Sequence, residues 1–164
     1  MLGFAAAACR REPDVPAWLR VRVTRPPKDT VVFEAAASAR RCGPPPPGSG
    51  GLVLQGASGG NGALLWLRFP PSDSLASGEW PMLQRADTGA RRGAVVGVRF
   101  MLGEVAHGAA LDSGAVSLTR AGQRLSVRAR GVGLEVAGAG RVAVDASFEA
   151  VPLGDDTVPC HPTP

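Results

Sequence analysis

From Trp18 onward, apolar and polar residues alternate with the period of two that places successive side chains on opposite faces of a strand. Leu19, Val21 and Val23 share one face, and Arg20, Arg22 and Thr24 share the other. After a turn at Pro26-Pro27-Lys28-Asp29, residues Val31, Phe33, Ala35 and Ala37 alternate with Glu34, Ser38 and Arg40; the alanines of this segment are equally compatible with a helix. Leu52-Val53-Leu54 and Ala63-Leu64-Leu65-Trp66-Leu67-Arg68-Phe69 flank a glycine-rich run from Gly56 to Gly62. Its Asn-Gly step and adjacent glycines predict a hairpin connection. The consecutive apolar residues on both sides predict strands covered on both faces.

The alternation is clearest in the C-terminal half. Val96, Val98, Phe100 and Leu102 mark one strand, and Val116 and Leu118 mark the next. A turn at Ala121-Gly122 leads to Leu125, Val127 and Ala129, which alternate with Arg124, Ser126, Arg128 and Arg130. Val132, Leu134 and Val136 carry the apolar face on past Gly131, and Ala137 to Gly140 turn the chain back. Val142, Val144, Ala146 and Phe148 form the last strand, opposite Arg141, Asp145, Ser147 and Glu149. The expected fold is all-β, an antiparallel meander closing into a sandwich or barrel of about eight strands. Between Pro70 and Gly93 the pattern lapses; Asp73 to Gly78 could supply one helical turn, and Glu79 to Leu83 a short edge strand. The run from Gly43 to Gly50, with four consecutive prolines, is read as a surface loop.

Composition supports one domain. At 164 residues the chain can bury about 70% of its unfolded surface. Its 22 glycines and 15 prolines favour turns over long helices. The net charge of +4 and pI near 9.8 are carried almost wholly by arginine, with Lys28 the lone lysine. Arg10/Arg11, Arg40/Arg41 and Arg91/Arg92 are scattered pairs without interleaved aromatics, so nucleic-acid binding is disfavoured. No apolar run is long enough for a transmembrane helix.

The segment Met1 to Cys9 is apolar, built of small residues, and ends Ala6-Ala7-Ala8-Cys9. It resembles the end of a bacterial lipoprotein signal, in which the cysteine becomes the lipidated first residue of the mature chain. Ala6 stands where that class usually carries leucine, and a start further upstream would supply the missing basic region. The implied division is a signal remnant at 1–9, a tether at 10–17 and a single β domain at 18–164. With Cys9 assigned to lipid, Cys42 and Cys160 are left as a candidate disulfide pair of an exported protein. Such a crosslink would stabilise by about 4–5 kcal/mol in the chain-entropy model. The other reading is three unrelated thiols in a cytosolic protein. The turns and apolar pattern from Ser113 to Leu153 also resemble the closing meander of uncharacterised bacterial lipoproteins with a β-sandwich or barrel domain. The resemblance implies a lipid-anchored protein of the cell envelope, in the periplasm or at the outer membrane. It implies no active site.

Motifs for chemistry are few. Gly56-Ala57-Ser58-Gly59-Gly60 fits the G-x-S-x-G expression, but a nucleophile elbow needs a strand-to-helix turn on a parallel sheet, and a strand is expected to follow here. A Ser58–His107–Asp112 triad would be the hydrolase reading; a serine in a hairpin loop is the plainer one. Glu104, His107 and Asp112 lack the spacing of a metal site, and Cys160-His161 are adjacent rather than at ligand spacing. No cofactor motif is found: the glycine-rich loop has no P-loop lysine. Asp155-Asp156 are read as solvated in the tail. The long loop, with Trp80, Arg85, Asp87, Arg91 and Arg92, is the place expected for ligand contacts; equally, Trp80 could cap one end of the core. The expected function is a non-catalytic envelope domain with a binding or structural role toward an unidentified protein or small molecule. The alternatives are a serine hydrolase using Ser58, or a polyanion-binding module using the arginines of 124–130.

Overall fold

In a computed structural model of the chain, residues 15–27, 29–43, 50–70, 75–84, 86–87, 92–136 and 140–158 are described. They form nine strands: β1 (Trp18–Arg25), β2 (Asp29–Cys42), β3 (Gly50–Ser58), β4 (Asn61–Phe69), β5 (Gly78–Pro81), β6 (Gly93–Leu102), β7 (Val105–Ala121), β8 (Arg124–Glu135) and β9 (Arg141–Val158). Eight of them close an up-and-down barrel, each pairing antiparallel with its neighbour, and β8 and β9 bring the wall back to β1. The expectation of a sandwich or barrel thus resolves to a barrel. Closure removes the unpaired edges that an open meander would leave.

β5 is the extra strand, and it departs from a simple meander. β6 pairs with residues 105–110 of β7, and β5 pairs with residues 115–118 of the same strand. Together β5 and β6 fill one position in the wall. The short strand expected around Glu79 to Leu83 is therefore present, while Asp73 of the expected helical turn lies outside the described residues. Residues 29–42 are strand rather than helix, because their apolar positions pack inward at period two between β1 and β3.

Eight strands leave an interior just wide enough for side chains to fill. Leu19, Val21, Leu54, Leu65, Val96, Phe100, Leu111, Val127, Ala146 and Phe148 meet there, each with 2% exposure or less. A second, smaller cluster sits on the outside of the wall. Cys42, Val53, Trp66, Leu83 and Val95 bury one another there, with Leu64 and Val158 packed against them. This cluster explains the consecutive apolar residues of β3 and β4, which are covered on both faces.

Two local devices set the register. The β3–β4 hairpin turns at Gly59 and Gly60, with φ of 57° and 81°, which glycine adopts without penalty. A bulge between Leu111 and Ser113 brings β7 against β8, where a Cβ at Gly133 would lie 2.1 Å from the Ala110 carbonyl oxygen. Further along, Ala150 takes φ 51°; its N–H receives support from the Ser126 hydroxyl at 3.1 Å and its carbonyl accepts from Arg124 at 3.0 Å. Beyond this bend β9 passes the short β1 and pairs in parallel with the end of β2, setting Cys42 opposite Val158. Asp155 and Asp156, expected in a free tail, are thus exposed residues of a strand.

Candidate functional site

The residues of the hypothetical triad are far apart. Ser58 pairs with Asn61, Gly62 with Arg99, and Phe100 with His107, so Ser58 and His107 sit level but three strands apart. At the spacing of paired strands that is about 14 Å. Asp112 lies five residues further along β7 and is held by Arg141, with contacts of 2.5 and 3.0 Å. Ser58 is an exposed residue at the hairpin tip.

His107 instead meets a partner the sequence did not suggest. It points into the barrel, stacks on Phe100 at 5.5 Å between ring centroids, and its Nδ1 lies 2.6 Å from Glu135 Oε1. Arg25 donates to the same carboxylate from Nε at 3.0 Å and from its terminal nitrogen at 3.2 Å. Asp29 reaches Arg25 at 3.6 Å. The last inward positions of β1 and β8 and an early one of β7 thus form a charged plug across one mouth of the barrel. The Glu135 side chain is only 3% exposed. Burial pushes its pKa up, but the hydrogen bonds from Arg25 and His107 outweigh that penalty and hold it below the usual glutamate value.

The residues expected past Gly131 need correction. β8 runs unbroken from Ser126 through Glu135, so parity is kept: Gly131, Gly133 and Glu135 face inward. Leu134 and Val136 face solvent, 60% and 68% exposed. The apolar-to-inside assumption selected the wrong face for this segment, and with it the inward carboxylate was missed. Period-two parity counted from Leu125 would have found it.

Trp80, considered as a ligand contact, is a core residue with 1% exposure. Its ring packs edge-on to Phe69 at 6.2 Å, and Arg92 lies over it at 4.3 Å. Its pairing with β7 turns the ring inward, so the capping alternative is the one the structure adopts. Arg85, Arg91, Cys9 and Cys160 lie outside the described residues; Cys42 is buried in the outer cluster. Among the described residues no group of histidine, cysteine and acidic side chains is placed to hold a metal ion.

The remaining charged assembly lies on the outer wall of β8, β9 and β1. Pairing aligns Arg130, Asp145 and Arg22 in one row, and Arg128, Ser147 and Arg20 in the next. Asp145 accepts from Arg128 at 3.1 and 2.7 Å and from Arg130 Nε at 3.2 Å. The Arg128 hydrogen bond is the chief cause of the lowered pKa of Asp145. Arg20 approaches Glu34 at 3.6 Å, whereas Arg22 has no partner among the described residues. Arg124, the other arginine of this strand, is tied to the Val15 and Ala150 carbonyls. Outward arginines on adjoining strands are the reverse of the apolar band on a lipid-spanning barrel.

No protein-family model, curated protein or solved structure matches this chain.

Proposed function

We propose that the chain is a non-catalytic binding module of the bacterial cell envelope, held to a membrane by lipid on Cys9 and presenting its outer wall for recognition. The observation that carries this reading is the filled interior. Apolar side chains pack together along the interior of the barrel, and the plug at one mouth ties Arg25, His107 and Glu135 to one another. Recognition by such a body falls to its exterior and its loops. The dispersal of Ser58, His107 and Asp112 also supports a binding role over a hydrolytic one.

In this reading Cys42 and Cys160 form the disulfide of an exported domain. The parallel pairing of Cys42 with Val158, two residues before Cys160, supports it. The anchor is tested by feeding labelled palmitate to bacteria expressing the chain; incorporation should vanish in Cys9→Ser, and incorporation that persists overturns the anchor. The non-catalytic part is tested with a fluorophosphonate probe. Label on Ser58 that disappears in Ser58→Ala overturns it.

A further inference from the structure

We propose that the outer wall of β8, β9 and β1 binds the phosphate of anionic phospholipid headgroups, with Arg22 and Arg130 as the two jaws. The inference rests on the reading of the outer wall as the recognition surface, and it specifies the ligand. Ala143 stands between Thr24 on β1 and Val132 on β8, so one methyl group floors a shallow depression. Arg22 and Arg130 rise on its two sides, in the row next to it, with Asp145 between them.

Charge around that carboxylate is unbalanced. Arg128 and Arg130 both act on Asp145, while Arg22 stands in register beside it on β1 without bonding to it. Arg128 takes both oxygens of Asp145 in a bidentate pair, and Arg130 reaches it through Nε alone. The two terminal nitrogens of Arg130 are therefore unengaged among the described residues, as is the whole guanidinium of Arg22. β1 and β8 flank β9, so the two backbones are about 9.6 Å apart, within the joint reach of two arginine side chains. Guanidinium forks match the geometry of a phosphate oxygen pair, and the exposed Thr24 hydroxyl adds a donor at the rim. Asp145 braces Arg128 and Arg130 and thereby fixes the direction of one jaw.

The acids on this wall do not cancel the excess. Glu34 is occupied with Arg20, and Glu149 acts on Arg128, which leaves the outward arginines Arg20, Arg22, Arg128 and Arg130 against the three carboxylates of Glu34, Asp145 and Glu149. A membrane as the source of the phosphate follows from the rest of β1. Trp18 lies on the same outward stripe as Arg20 and Arg22 and is 37% exposed. An exposed indole beside arginines suits the headgroup layer, where tryptophan and basic residues both concentrate.

The test uses the full chain carrying Cys9→Ser, sedimented with vesicles of phosphatidylglycerol and phosphatidylcholine in equal parts, or of phosphatidylcholine alone. Binding is expected to the first and not to the second. Arg22→Gln with Arg130→Gln should lower the partition coefficient roughly 10- to 30-fold. Arg40→Gln with Arg41→Gln removes the same charge from exposed sites on β2 and should change it little. Equal losses in the two double variants would reduce the effect to net charge and overturn the site. Equal binding to both vesicle types overturns it as well. Displacement of a bound phosphate by salt without any vesicle binding would assign the depression to a free anion, and retention on heparin alone to an anionic polymer; either overturns the lipid assignment. Because the tested chain lacks the acylated cysteine, failure here leaves the palmitate result standing, and the reverse holds too.

Discussion

The two mouths of the barrel are closed by opposite chemistry. At one, where β1 and β8 end, the inward positions carry Arg25, His107 and Glu135. Toward the other, Leu75, Trp80, Leu118 and Phe148 share one apolar cluster, Phe69 packs edge-on to the Trp80 ring, and the Arg92 guanidinium lies over that ring at 4.3 Å. The apolar closure gains from excluding water and is tolerant of detail. The charged closure must satisfy every member at once, because a buried ion left alone costs more than the pair returns. The contrast teaches that burial at the end of a small barrel can be met either way, with different sensitivity to substitution and pH.

That contrast can be broken from its apolar side first. Trp80→Ala should lower unfolding free energy by about 3–5 kcal/mol, read from urea denaturation, since it empties the largest buried volume near that mouth. Next comes Glu135→Ala, which strands Arg25 and His107 and should cost about 3 kcal/mol. Replacing all three together, with Arg25→Met, His107→Phe and Glu135→Leu, should cost less than Glu135→Ala alone; a triple variant weaker than the single one would mean that the plug itself stabilises the fold.

Acid sharpens the same comparison. Glu135 has a folded pKa below its unfolded value of 4.5. Its contribution is therefore fully present above that value and is lost as pH falls through the lower folded one. Thermal midpoints should fall on acidification below about pH 4.5, less steeply in Glu135→Gln than in the wild type. Asp112 and Asp145, with pKa values also lowered by arginine partners, add to the wild-type slope but remain in both chains. Arg92→Ala should cost about 1 kcal/mol, the scale of a cation–π contact that is partly desolvated. Smallest is Asp145→Asn on the outer wall, expected to change stability by less than about 1 kcal/mol because its ion pairs face solvent.

Much of the wall was legible in the residues themselves. The alternation of Leu19, Val21 and Val23, or of Val142, Val144 and Ala146, states both the strand and its inner face. The hairpin between β3 and β4 was legible too, but the glycine-rich run marks its turn too broadly: the positive φ values fall on Gly59 and Gly60, while Asn61-Gly62 of the Asn-Gly step already belongs to β4. The charged plug was not legible. Arg25, His107 and Glu135 are separated by up to 110 positions, and each looks like a solvated strand-end residue when read alone. Val132, Leu134 and Val136 added a misleading apolar stripe, since hydrophobic patterning identifies a face only where the tertiary structure covers it. The place of Trp80 was open for the same reason: its ring direction depends on β5 pairing with β7, a contact between residues far apart in the chain.

The sequence by itself determined the all-β class, most strand positions and the inward face of the regularly alternating strands, because period-two alternation is a local property of each segment. Only the tertiary structure decided closure into a barrel, the insertion of β5 and the row that brings Arg22, Asp145 and Arg130 together. Those depend on which strands become neighbours and in what register, and register is fixed by long-range pairing that no single segment encodes.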